Sequence, residues 1–250
     1  MKGACFHHNL EFKLSVDGET WRQGDALRGQ LIVKNRGAAP LVTKNVRVQL
    51  AGAALAQVKK KSPDAFEILT EATMPEVTIA PGAENRLDWA FETDRNCQIA
   101  DGTRSPFLVY GDSSVPDKMG FLQLPFTPAA EIERLKHVLQ IEFRFVLKTE
   151  KSSKGKLTVK LDPPGGKTYS SLELLAVTCW RDGSELKTSF SFHVNRIDPD
   201  SPTTALKKHE LRFDRAFKIG GPIGFHLDQA FLDAIKGLLQ EARLIHPHMP

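Results

Sequence analysis

Apolar and polar residues alternate along much of the chain, and a period of two is typical of β-strands that bury one face. Between Leu27 and Val33 every second residue is apolar or glycine, and most of the residues between them are polar. Gly24 and Asp25 come just before this run and predict a turn. We interpret the stretch as a strand at the edge of a β-sandwich, together with the turn that leads into it.

The same alternation predicts further strands in the first half of the chain, near residues 10–16, 46–50, 77–79, 87–91, 105–111 and 120–124. Residues 51–76 show no clear period and are not assigned. The segment 125–130 contains two prolines, which disfavour both helix and strand hydrogen bonding. We therefore place a domain boundary there, with one sandwich at 1–128 and a second at 129–250.

Alternation begins again in the second half, where strands are predicted at 139–147, 156–161, 172–180, 186–194 and 206–213. The first of these has the most regular pattern in the whole chain. Asp182-Gly183 predicts a hairpin turn between two of the strands. The expected fold class is all-β, with two consecutive immunoglobulin-like β-sandwiches.

The C-terminal region is the exception, because apolar residues there recur at spacings of three and four. This pattern predicts an amphipathic helix at 227–242, with a stripe formed by Leu227, Phe231, Ile235, Leu238, Leu239 and Ala242. Such a stripe is costly to leave in water, so it must be covered. We expect it to dock on the second sandwich. In the alternative, Phe231, Ile235 and Leu238 bind a partner or a second copy of the chain.

Composition is that of an ordinary globular protein, with 41% hydrophobic and 26% charged residues. No apolar run approaches the roughly 20 residues of a spanning helix, and the N-terminal residues lack the apolar core of a secretion signal. We expect a cytoplasmic protein. Cys5, Cys97 and Cys179 are widely spaced, so we expect reduced thiols rather than disulfides or a thiolate metal site.

The net charge of +4 is unevenly distributed. Residues 1–130 hold 15 Lys and Arg against 15 Asp and Glu, whereas residues 131–250 hold 19 against 15. A surplus this small supports weak contact with an anionic membrane surface, and it is below the charge expected of a protein that binds nucleic acid specifically.

Sequence motifs for catalysis or cofactor binding are missing from the chain. Gly165-Gly166-Lys167-Thr168 ends like a phosphate-binding loop, but Leu161 stands where that loop needs a glycine. His7-His8 and His246-x-His248 have no third metal ligand at a suitable spacing. No G-x-S-x-G or H-E-x-x-H motif is present. We therefore predict no enzyme activity, no metal and no cofactor.

Two further features are candidates for binding. Lys59, Lys60 and Lys61 form a basic run, and Trp180 stands beside the predicted hairpin. The alternative is that the lysines are solvated loop charges and that Trp180 packs in a core.

The turn and strand that begin at Trp21 resemble a motif of the arrestin superfamily. The resemblance rests on an aromatic residue, a turn and a strand that opens on a glycine, which here are Trp21, Gly24, Asp25, Leu27, Gly29, Leu31 and Val33. Gln23 stands where a proline is usual. The segments 46–50, 79–82 and 87–91 are similar to the strand, Pro-Gly turn and strand of that superfamily, and the bacterial sporulation-control type looks closest.

This resemblance implies a non-enzymatic adaptor or scaffold that binds other proteins through its sheet edges, interdomain groove and loops, and it leaves homo-oligomers open. No phosphate-sensing residues can be placed by it. The alternative is a carbohydrate-binding or hydrolytic β-sandwich enzyme with an unrecognised carboxylate site. A pair of pocket carboxyl groups with raised pKa values would favour that alternative.

Overall fold

A computed structural model of the chain describes residues 1–60, 62, 64–165, 169–197, 206–219 and 225–244. It contains two compact units, unit 1 at Met1–Thr127 and unit 2 at Pro128–Pro250. The boundary expected from the two prolines lies one residue further along the chain. Whether the units fold independently stays a prediction.

Unit 1 consists of short strands and one short α-helix. They are β1 (Lys2–His7), β2 (Leu10–Val16), β3 (Trp21–Arg22), β4 (Ala26–Asn35), β5 (Leu41–Thr43), β6 (Val46–Ala54), α1 (Leu55–Lys59), β7 (Phe66–Thr73), β8 (Val77–Ile79), β9 (Glu84–Glu92), β10 (Arg104–Asp112), β11 (Gly120–Gln123) and β12 (Phe126–Thr127).

The described part of unit 1 is a sandwich of two four-stranded antiparallel sheets. Sheet I has the strand order β1-β2-β4-β9 and sheet II the order β11-β10-β6-β7. Alternate residues of both sheets point inward, and they form one core that includes Phe12, Leu31, Val48 and Leu108. β5 pairs with β8, and β3 pairs in parallel with β12, which joins the end of unit 1 to its beginning.

The strand that follows the Gly24-Asp25 turn is not an edge strand, so that prediction was wrong. β4 pairs with β2 on one side and with β9 on the other. Edge strands and inner strands of a sandwich both bury one face. The alternation of residues 27–33 therefore does not distinguish an edge strand from an inner strand. The unassigned residues 51–76 contain the end of β6, α1 and the whole of β7.

Unit 2 begins with a helix and ends with a longer one. Its elements are α2 (Ala130–Ile141), β13 (Val146–Ser153), β14 (Lys156–Asp162), β15 (Leu172–Asp182), β16 (Glu185–Ile197), β17 (Leu206–Lys218) and α3 (Phe225–Glu241). The five strands pair in chain order as an antiparallel meander. The hairpin at Asp182-Gly183 is confirmed, with Asp182 paired to Glu185 and a φ of +55° at Gly183.

The predicted strand at 139–147 was wrong, because α2 extends to Ile141 and β13 starts only at Val146. Ile132, Leu135 and Leu139 recur at spacings of three and four and are buried, so the helical period decides the structure here. Ile141, by contrast, is exposed although it belongs to the strand pattern.

Both helices lie against the inner face of the sheet. The Phe231 ring of α3 meets the Phe217 ring of β17 at 4.7 Å between centroids, and Lys136 of α2 bonds to Glu150 of β13. The predicted all-β class, with two consecutive immunoglobulin-like β-sandwiches and a C-terminal amphipathic helix, is confirmed in its predominance of strands, its two consecutive units and its helix. In the described part of unit 2 the layer that covers the sheet is helical, because α2 and α3 supply the apolar side chains that a second sheet would supply.

Candidate interaction site

The outer face of sheet II carries a cluster of three phenylalanines. The ring centroids of Phe66, Phe107 and Phe121 are 5.5–6.1 Å apart. Leu108 and Tyr110 point into the sandwich, so the alternating residues of β10 and its neighbours must point outward. Phe107 is buried beneath the other rings, whereas Phe121 is 53% exposed. An exposed aromatic ring on a sheet face is the kind of anchor that protein partners use.

The short helix α1 borders this cluster. Its Leu55 and Val58 pack against the same apolar group as Phe66, and Met119 does so from the loop before β11. Ile68 of β7 lies beside the cluster because it pairs with Ala51 on the same face, and it is 44% exposed. We call the resulting surface the α1 patch, formed by Leu55, Val58, Phe66, Ile68, Phe107, Met119 and Phe121.

β7, at the rim of the patch, is an edge strand with a bulge. Among the described residues it pairs only with β6, and the register shifts where Leu69 is inserted opposite the bond between Leu50 and Ala51. Leu69 is 54% exposed. A strand edge with exposed apolar side chains readily accepts another chain.

The charges at the patch are arranged on two sides. Lys59 and Lys60 are exposed at the end of α1. Along β7, Glu67 pairs with Arg104 at 3.3 Å and Glu71 with Arg47 at 2.7 Å. Among the described residues no carboxylate pairs with Lys59 or Lys60, so the α1 side presents positive charge, while the β7 side is neutralised. Lys61 lies outside the described residues.

The motif at the start of β4 is a rigid structural turn. The carboxylate of Asp25 accepts a hydrogen bond from the Arg22 amide at 2.7 Å, and Gly24 has a φ of +89°, which glycine adopts without strain. Gln23 is buried and donates to the Cys97 carbonyl at 2.6 Å, a bond that the usual proline would lack. Trp21 stacks on Phe126 inside the sandwich. These residues hold the fold and do not reach the α1 patch.

The remaining predicted binding residues lie in unit 2. Trp180 is partly exposed on the outer face of the sheet, with the Lys156 ammonium 4.3 Å from its ring centroid. Phe231, Ile235 and Leu238 are all 0% exposed. Their stripe is covered within unit 2, as we expected, and a role for them in partner binding would require α3 to leave the sheet.

Ion pairs and hydrogen bonds shift the pKa of several carboxyl groups among the described residues. The carboxyl pKa is lowered at Glu11, Glu71, Glu84 and Glu185. Burial raises the pKa of the Cys97 thiol to about 11 and that of Cys179 to about 12, so both stay protonated at neutral pH.

The described residues contain no group of three or more His, Cys, Asp or Glu side chains that could hold a metal ion. The Gly166–Thr168 and His246–His248 segments fall outside them. Within the part of the chain that the structure describes, no helix is long and apolar enough to cross a membrane.

Phe66, Ile68 and Phe121 were not identified from the sequence. Phe121 occurs in a short alternating run that looks like any half-buried strand, and Phe66 and Ile68 fall in the unassigned segment. The basic run after α1 was the one local signal of this surface.

The two-unit architecture, with a β-sandwich followed by a second β unit, is an arrestin-like fold. The structure is similar to that of Spo0M, a sporulation control protein from Bacillus subtilis. The TM-score is 0.65 and the identity 12%, over 94% of this chain and 99% of that one. No protein-family model and no curated sequence matches the chain.

Two other solved structures share only part of this chain. The DNA glycosylase AlkC from Pseudomonas fluorescens has a TM-score of 0.31 and 10% identity, over 48% of this chain and 31% of that one. A β-glucosidase from Listeria innocua has a TM-score of 0.30 and 11% identity, over 47% of this chain and 16% of that one. Such scores do not indicate a shared overall fold.

Proposed function

We propose that this protein is a non-enzymatic cytoplasmic adaptor that binds another protein through the α1 patch. The observation that carries the proposal is the exposure of Phe121 and Ile68 at 53% and 44% beside the edge of β7. An isolated exposed apolar residue is ordinary, whereas several that lie close together on one face of a sheet mark an interaction surface.

The chemistry of the patch favours a protein partner that binds through a strand or a helix. Aromatic anchors supply contact area, and the β7 edge has backbone groups that an extended segment can pair with. Lys59 and Lys60, which lie on one side only, favour a partner segment that carries acidic residues next to its apolar ones.

The likeness to a sporulation control protein supports a regulatory rather than a catalytic role. The lowered carboxyl pKa values point the same way, because a glycosidase-type acid needs a raised pKa. We therefore favour the adaptor over the hydrolytic sandwich.

A crosslinking experiment tests the proposal. A photoactivatable residue is placed at Phe121 or at Ile68, and as a control at Val42, another apolar residue with 51% exposure in unit 1. In cells that make the protein, we expect a discrete crosslinked protein from the patch positions and none from Val42. Equal products from all three positions, or products from Val42 alone, would contradict the proposal.

A second copy of this chain is one outcome of the same experiment. A crosslinked species of twice the mass, composed of this protein alone, would identify the patch as a homodimer interface and overturn the adaptor function assigned to it. The variant Phe121→Ser/Ile68→Ser should remove the heterologous product and leave the melting temperature nearly unchanged, because both side chains are about half exposed.

A further inference from the structure

The outer face of the unit 2 sheet is open to solvent. α2 and α3 cover the inner face, where Leu157, Val177 and Phe190 are buried. On the opposite face the strand register places Lys151 beside Thr158, Thr158 beside Thr178, and Trp180 beside Lys187. This surface is independent of the α1 patch, which belongs to unit 1.

Lysines dominate one half of this face. Lys151, Lys156 and Lys160 are exposed, and among the described residues none has a carboxylate partner. With strands about 4.8 Å apart and alternate residues about 6.8 Å apart, the Cα atoms of the three lysines lie within about 15 Å of one another. Lys154, in the turn between β13 and β14, adds a fourth exposed charge.

The acidic side chains of this outer face either lie away from the lysines or are paired with another basic side chain. Glu185 accepts from Lys187 at 2.6 Å, and Asp162 from Lys148 at 3.1 Å. Across the β17 half, Asp214 lies 3.9 Å from Arg212. Asp182 is exposed at the far end of the hairpin. The β17 half is therefore close to neutral, and the β13–β14 half holds the uncompensated positive charge. It accounts for most of the four-charge surplus of residues 131–250.

Between the lysines the surface is amphipathic. The Thr158 and Thr178 hydroxyls bond to each other at 3.0 Å, so they lie low on the sheet. The partly exposed Trp180 has an apolar ring and one N–H donor. Indole side chains favour the boundary between lipid headgroups and hydrocarbon, because the ring can contact hydrocarbon while the N–H faces water.

We infer that this face docks on an anionic lipid bilayer, with Lys151, Lys156 and Lys160 against the headgroups and Trp180 at the interface. Lysines near a surface rich in phosphatidylserine are each attracted to it, and this face carries three of them without carboxylate partners among the described residues. Single-stranded nucleic acid fits less well. Its binding sites offer aromatic faces for stacking, and here Lys156 already covers a face of the Trp180 ring.

Co-sedimentation with vesicles tests this inference. The full chain is mixed with vesicles of phosphatidylcholine alone or of phosphatidylcholine with phosphatidylserine. We expect binding to the anionic vesicles only, weakened by salt. The variant Lys151→Glu/Lys156→Glu/Lys160→Glu should lower the affinity by at least about a hundredfold, because each lysine contributes about fivefold.

A matched control variant distinguishes a loss of binding caused by changes on this face from one caused by the change in net charge. Lys2→Glu/Lys44→Glu/Lys118→Glu makes the same charge change at exposed positions of unit 1, and its binding should stay within a few-fold of the native chain. The fluorescence of Trp180 gives a second measurement, because Trp21 and Trp89 are buried. Anionic vesicles should shift the emission of the native chain but not that of Trp180→Phe.

Three results would overturn the inference. The first is absence of binding to anionic vesicles at low salt. The second is equal loss of binding in both triple variants. The third is binding of a single-stranded oligonucleotide through the same lysines without vesicle binding. Because the α1 patch is unchanged in the variants of unit 2, none of these results bears on the proposed adaptor function.

Discussion

At Gly29 the inner strand β4 passes so close to its surroundings that a side chain has no room. A Cβ atom there would lie 2.1 Å from the Ser15 carbonyl oxygen and 2.6 Å from Cζ2 of Trp89. The first contact is with backbone, which cannot move away without disturbing the pairing of β2 with β4. The glycine of the arrestin-like motif is thus held in place by contact.

Gly29→Ala should therefore lower the free energy of unfolding by about 1–3 kcal/mol, the usual cost of forcing an extra methyl group into a packed site. Urea unfolding followed by tryptophan fluorescence measures this. Gly52→Ala in β6 is the control, since its nearest neighbour would be the Arg104 side chain at 3.9 Å. Equal midpoints for both variants would show that the Gly29 site tolerates a side chain.

At the scale of elements, alternation predicted most strands correctly and failed where two periods overlap. In α2 the spacing of Leu135, Val138 and Leu139 is helical, while Leu139, Ile141 and Phe143 also fit a strand. Packing of the helix on the sheet decides between the two, and that information is not local in sequence. The α1 patch could not be predicted for a similar reason, because exposure of Phe121 depends on which sheet face is left uncovered.

The buried ion pair between Glu131 of α2 and Arg181 of the sheet gives a second prediction. Glu131 accepts from Arg181 at 3.0 Å, and both side chains are 9% exposed. Arg181→Met leaves a carboxylate with little access to water, so we expect a loss of about 3 kcal/mol in unfolding free energy. The double variant Glu131→Leu/Arg181→Met should recover most of it. If the double variant is as unstable as Arg181→Met alone, Arg181 stabilises the protein by something other than its ion pair with Glu131.

The docking of α3 gives a third prediction. Phe231 is fully buried against Phe217, so Phe231→Ala should cost about 3–5 kcal/mol and lower the melting temperature of unit 2. Asp233→Ala, on the exposed side of the same helix, is the control and should change the free energy by less than about 0.5 kcal/mol. A Phe231→Ala protein that melts like the native one would mean that α3 is not docked in solution.

At the scale of the whole molecule, each unit has its own sheet system and core, so we expect two protected fragments from limited proteolysis, divided near Thr127. Mass spectrometry of the fragments places the cut, and calorimetry should resolve two transitions. A single transition, with the first cleavage elsewhere, would contradict independent folding.

Acid should destabilise the protein through its paired carboxyl groups. Hydrogen bonds lower the pKa of Glu71 (from Gln49, then Arg47), of Glu84 (from Lys34) and of Glu185 (from Lys187). At Glu11 burial acts to raise the pKa, but the hydrogen bond and charge of Arg36 and the charge of Lys13 together outweigh it.

At pH values between the lowered carboxyl pKa values and the ordinary ones, the unfolded chain therefore binds more protons than the folded chain. The stabilisation is present above the ordinary carboxyl pKa of about 4.3 and is lost as the pH falls through the lowered values. Urea midpoints between pH 7 and pH 3 should decrease, and less steeply in Glu84→Gln. A midpoint that rises in acid would contradict the sign.

The parallel pairing of β12 with β3 has a consequence for how the chain is made. Trp21 and Phe126 stack across this pair, and the Thr127 hydroxyl bonds to the Trp21 carbonyl over a separation of 106 residues. A contact this distant in sequence forms slowly, because the loop must close before the contact stabilises anything. During synthesis this strand pair can form only after residue 127 has left the ribosome, so until then the Trp21 ring and the β3 edge lack the partners that cover them in the folded unit.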